Sequence, residues 1–78
     1  MKIVCISNLK PGQSGTIQAL PEGKKAQTRL SEMGLRCGMS VTLKHKMPLK
    51  GPVIIEVGRT QIALGQGMAD KIQVKIKQ

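Results

Sequence analysis

Seventy-eight residues are enough for a single domain, expected over 1–78, and a domain of that size buries only about 60% of the surface its unfolded chain exposes. Phe, Tyr and Trp are absent, so the core has to be built from Ile, Val, Leu, Met and Ala, and the aromatic platform on which single-stranded nucleic acids stack is excluded. Thirteen Lys and Arg against four Asp and Glu leave a formal net charge of +9, which repels itself and points to an anionic partner or surface.

The opening MKIVCI is apolar but far shorter than a signal-peptide core. No uninterrupted apolar run approaches the roughly 20 residues that cross a bilayer, so a soluble, cytoplasmic chain is expected. Cys5 and Cys37 could form at most one bridge, which favours a reducing compartment over a disulfide framework. KPGQSG, Lys10 to Gly15, is a turn by its chemistry: Pro11 presets one backbone angle, and Gly12 and Gly15 are free to take positive φ. TIQAL then reads as a strand. After PEG, the segment Lys24 to Met33 places Ala26, Leu30 and Met33 at helical spacing and turns Lys25, Arg29 and Glu32 away, with Gly34 as the C-terminal cap.

From Met39 the period changes to two. Val41, Leu43 and His45 alternate with Thr42, Lys44 and Lys46, which predicts a half-buried strand with a basic outer face. The loop KMPLKGP follows. VIIEV is β-branched, Gly58 and Arg59 make a tight reversal, and TQIAL returns as the hairpin partner. GQGMADK interrupts with a short helical turn. IQVKIK closes the pattern, with Ile72, Val74 and Ile76 facing in and Gln73, Lys75 and Lys77 facing out. About five short strands and one helix predict an all-β fold closed into a small barrel or partly closed roll, because closure removes exposed sheet edges.

Cys37, Met39 and His45 are all conceivable metal ligands, and a mixed soft set of this kind favours copper or zinc. Their spacing argues against one shared site: Cys37 follows the helix, while His45 lies about 20 Å from Met39 along a straight strand. A paired C-x-x-C signature is also absent. No metal is therefore expected; Cys37 reads as a turn residue, Met39 as a gap filler and His45 as a wall residue. GQGMAD lacks the last glycine of a dinucleotide loop, and GQSG leads into a strand where a KH clamp would lead into a helix. Glu22, Glu32, Glu56 and Asp70 are scattered, and the single His has no evident nucleophile partner. Neither enzyme activity, nor a cofactor, nor a small-molecule substrate is expected.

LKPGQSGTI, RLSEMGLRCGMSV, GPVIIEVGRTQIAL and MADKIQVKI resemble, in order and spacing, the FeoA family of small bacterial proteins associated with ferrous iron transport. The most specific part is RLSEMGLRCG, where Arg29, Leu30, Met33, Gly34, Leu35 and Gly38 match. Cys37 departs from the Pro often found in the family, and Gly65 from a common basic residue. The resemblance implies an SH3-like β-barrel with an α-helix inserted after the first barrel strand. It also implies an accessory or regulatory protein beside FeoB, the membrane permease for ferrous iron, peripheral to the cytoplasmic membrane.

A domain this small recognises a partner through a few anchors. Met47 and Leu49 are expected as apolar anchors, with Lys24, Lys25 and Arg29 as a charged rim; the alternative for Met47 and Leu49 is a loop folded back to cap the barrel. Anionic headgroups would add about 1 kcal/mol per nearby Lys or Arg. A nucleic-acid-binding barrel is the competing reading of the charge, disfavoured by the missing aromatic rings. Self-association remains open.

Overall fold

Alternating apolar and polar residues produce the expected strands and one more. The computed structural model describes residues 1–77; Gln78, the last residue of the expected domain, lies outside them. The strands are β1 (Lys2–Cys5), β2 (Ser14–Ala19), β3 (Ser40–Lys46), β4 (Val53–Val57), β5 (Thr60–Leu64) and β6 (Gln73–Ile76); the helices are α1 (Lys24–Glu32) and the single turn α2 (Gln66–Ala69). The additional strand is β1, drawn from the opening MKIVCI. It pairs only with β6, and its residues are exposed or half-buried, so its apolar pattern carries little periodic signal.

The strands form one antiparallel sheet in the order β1-β6-β2-β3-β4-β5. Laid flat, six strands would hold their edges about 24 Å apart. Here Val4 of β1 and Leu64 of β5 pack against the same aliphatic cluster, so the sheet curls on itself. β1 and β5 remain its two edges, and the result is the partly closed roll. Leu30 of α1, Ile6 and Leu9 around a 3-10 turn, and Ala69 of α2 complete that core. Among the described residues no buried side chain is polar or charged, which is how a chain of this charge keeps all its cations in water.

Two expectations are corrected by backbone register. His45 is exposed and lines no wall. Leu43 pairs with Ile55 but His45 with Ile54, so Lys44 is an extra residue and the bulge turns the strand's end outward after Val41 and Leu43 have been buried. Gly15 lies within β2 and does not have positive φ, unlike Gly12 in the turn before it. What it supplies is closeness: a Cβ there would stand 3.0 Å from Val74 Cγ2 and 3.1 Å from Ile76 Cγ2.

Candidate functional site

Helix α1 ends as its sequence predicts. Gly34, at φ 87°, donates its N–H to the Ser31 carbonyl at 3.0 Å, and Leu35 N–H donates to the Leu30 carbonyl at 2.9 Å. This pair of bonds is the Schellman arrangement, which needs a left-handed residue after the cap and brings two apolar side chains together. Leu30 and Leu35 are both fully buried. The next turn, Arg36 to Met39, closes with Met39 N–H on the Arg36 carbonyl at 3.2 Å. Cys37 holds the second position of that turn, where Pro is favoured in general, and its Sγ lies 3.6 Å from the Gln18 carbonyl.

The opposite end of α1 is built against the usual rule. Gly23 caps it without a side-chain hydrogen bond, and the first turn holds no acid but starts with Lys24 and Lys25. A helix N-terminus carries partial positive charge, so cations there cost a few tenths to about 1 kcal/mol each where carboxylates would stabilise. Lys24, Lys25, Thr28, Arg29 and Glu32 form one stripe along the helix and line a shallow depression. Arg29 also borders an apolar groove of about 170 Å³ made by Leu30 of α1, Met33 at its C-cap, Ala63 and Leu64 of β5, Gly65, and Met68 of α2. Of the three apolar helix positions expected, only Leu30 is fully buried; Ala26 and Met33 are half-buried, and Met33 is left to line the groove. A second groove, lined also by Glu22, Asp70 and Lys71, borders Ala26 one turn nearer the start of the helix, and Met68 lines it too. Sequence reading missed Met68 because a single helical turn carries no periodicity; its adaptable thioether faces both grooves.

Met47 and Leu49 sit elsewhere, on the β3–β4 hairpin. Its tip does not fold back over the barrel: Leu49 is 99% exposed and Met47 48%. Met47 N–H donates to the Pro52 carbonyl at 3.1 Å and Gly51 N–H to the Pro48 carbonyl at 3.1 Å. Leu49 and Lys50, between them, have φ of 59° and 57°. Two consecutive left-handed residues inside such a turn match type I′, whose usual occupants are Asn-Gly. Leu-Lys here costs about 1–2 kcal/mol per residue in strain. The pairing of Val53 with Leu64 puts this tip at the same end of the sheet as the β5–α2 connection that borders the apolar groove. Lys24, Lys25 and Arg29 are thus brought together, while Met47 and Leu49 form a separate projection near one end of that surface.

Cys37 and His45 lie at opposite ends of β3, with Met39 beside its start. Among the described residues no three His, Cys, Asp or Glu side chains gather closely enough to hold a metal ion.

The family model described as the FeoA domain matches residues 4–76. A protein of Methanocaldococcus jannaschii, named provisionally as Fe(2+) transport protein A, is 33% identical over 66 residues, covering 85% of this chain and 78% of that protein. The crystal structure of an iron uptake regulatory protein, FeoA, superposes with a TM-score of 0.85 at 32% identity, covering 96% of this chain and 97% of that one. A manganese-dependent transcriptional repressor matches at a TM-score of 0.87 but 13% identity, over 96% of this chain and 42% of its own, and so shares the fold alone. The sheet is accordingly the SH3-like barrel of these structures.

Proposed function

Because the chain belongs to the FeoA family, we propose that it is a non-enzymatic accessory protein of ferrous iron uptake that docks, from the cytoplasm, on the cytoplasmic part of a FeoB-like permease. It carries no ion itself in this reading and needs neither a cofactor nor a small-molecule substrate. No helix among the described residues is long and apolar enough to cross a membrane, which suits a peripheral partner.

The observation that carries the reading is the N-terminal half of α1. Lys24 and Lys25 crowd a helix end that has no side-chain cap and no acid in its first turn. That arrangement costs stability in the free protein and is relieved when a carboxylate from a partner meets it. Arg29 joins this positive stripe to the groove of Leu30, Met33 and Met68. An acidic segment of the permease with one apolar side chain would satisfy both: the charges speed and orient encounter, and the groove sets residence time. In this reading the α1 surface alone makes the permease contact, and Met47 and Leu49 stand apart from it on the neighbouring projection.

The test is association kinetics on the purified cytoplasmic domain of the permease. Lys24→Glu with Lys25→Glu is expected to slow association at least tenfold at low ionic strength, with the difference shrinking as salt rises. Equal association rates for the wild type and the double variant at low salt would remove α1 from the contact.

A further inference from the structure

We propose that the β3–β4 hairpin tip is a wedge for an anionic bilayer, with Leu49 and Met47 entering the headgroup boundary and Lys44, Lys46 and Lys50 gathered on the lipid phosphates. The inference rests on the permease reading only for bringing the domain to a membrane; the chemistry of the tip stands by itself.

Three observations converge on lipid. The first is shape. Leu49 is 99% exposed at the apex of a two-residue turn, and neither Leu49 nor Met47 lines any of the grooves described for the molecule. An isolated convex apolar point makes few contacts with a rigid protein surface but sinks into a fluid one without needing a complementary cavity. The second is charge. Between Lys44 and Pro52 the chain carries three lysines and no acid, so every formal charge in the segment that bears the apolar apex is positive. The third is the turn itself. Its left-handed pair would be filled with least strain by Asn-Gly, and the chain keeps Leu-Lys there instead. A local choice that opposes the backbone points to function at that position.

The magnitudes agree. Full burial of a leucine side chain favours partition by about 10- to 100-fold. Each lysine close to an anionic surface adds about fivefold. Either alone gives weak, reversible binding, whereas an apolar insertion joined to a basic collar gives the two signals that stable peripheral attachment requires. A nucleic acid would use the same lysines but has no use for an aliphatic apex, since it stacks on rings.

Vesicles of equal parts phosphatidylcholine and phosphatidylglycerol provide the test, with pure phosphatidylcholine as the control. The wild type is expected to sediment with the anionic vesicles and not with the neutral ones. Leu49→Asn keeps a residue suited to left-handed backbone, so it removes the apolar apex without disturbing the turn; it should weaken partition about tenfold or more, and Lys44→Ser, Lys46→Ser and Lys50→Ser combined should do the same. Because the chain has no Trp, Leu49→Trp gives a single emitter, expected to shift to the blue on anionic vesicles and to be quenched by lipids brominated in the acyl chain. Gln61→Trp, on the exposed part of β5, should do neither. Binding of Leu49→Asn equal to wild type would reduce the contact to adsorption by net charge and overturn the wedge. So would Leu49→Asn weakening binding to the permease's cytoplasmic domain in solution while leaving vesicle binding intact, because the tip would then be a protein anchor. The vesicles contain no permease, so failure here leaves the α1 contact standing, and failure of the α1 contact leaves this result standing.

Discussion

Replacing Leu49 and Lys50 by Asn and Gly should make the protein more stable, although it removes an apolar residue and a charge. Leu49 and Lys50 sit at φ 59° and 57°, in the left-handed region. For a residue with a Cβ that conformation costs about 1–2 kcal/mol. Asn accepts it at lower cost, and Gly at none, though Gly gives back about 0.5–1 kcal/mol through the greater freedom of the unfolded chain. Little is lost in exchange, since Leu49 is 99% exposed. The net gain is about 1–2 kcal/mol, which for a domain of 78 residues raises the melting temperature by about 5–15 °C. In urea titration the midpoint should rise by roughly 1 M at unchanged slope. A midpoint that stays put or falls would mean that the turn is not strained, and would remove one of the three supports for the lipid wedge. If the reasoning holds, the same double variant gains stability as it loses vesicle affinity.

Leu30→Ala should cost about 2–5 kcal/mol, because Leu30 is fully buried and also provides the apolar partner of the Schellman cap; a loss below half a kcal/mol in denaturant titration would contradict the packing of α1. Gly15→Ala should cost about 1–3 kcal/mol by overpacking, since its Cβ would press on Val74 Cγ2 at 3.0 Å and on Val74 Cβ at 3.1 Å; a neutral result in the same titration would show that β6 yields. Calorimetric titration with ferrous iron and with zinc should reveal no tight stoichiometric site on Cys37, Met39 and His45, and one tight site lost in both Cys37→Ser and His45→Ala would overturn that expectation.

What the sequence makes legible follows from where periodicity is strong. IQVKIK alternates without interruption, and β6 buries Val74 and Ile76, which that alternation selects, while VIIEV is legible from its β-branched residues. RLSEMGL carries a cap residue and an apolar contact at the spacing the cap requires, so the end of α1 can be read to within a residue. β1 cannot be read, because an edge strand paired on one side needs no burial pattern. His45 misleads because a bulge leaves no mark in an alternating segment; the register against Ile54 and Ile55 is a property of two strands and not of one. Among the site residues, Lys25 and Arg29 share a helix face by their spacing, and the structure adds Lys24 to the depression they line. Their joining to the Met68 groove is tertiary, since α2 reaches α1 only through the curl of the sheet. The exposure of Leu49 is likewise set by two hydrogen bonds across the loop, and MPLKG taken alone fits a folded-back cap equally well.

The most direct test of the accessory-protein account is a pair of equilibrium titrations of the wild-type protein, one against the purified cytoplasmic domain of a FeoB-like permease and one against an RNA oligomer, each at low and at physiological salt. The account predicts saturable binding to the permease domain that weakens but survives at physiological salt, because the Leu30, Met33 and Met68 groove anchors what the lysines attract. RNA binding should be weak and vanish with salt. No binding to the permease domain at either salt, beside RNA binding with a steep salt slope, would contradict it and assign the +9 charge to nucleic acid.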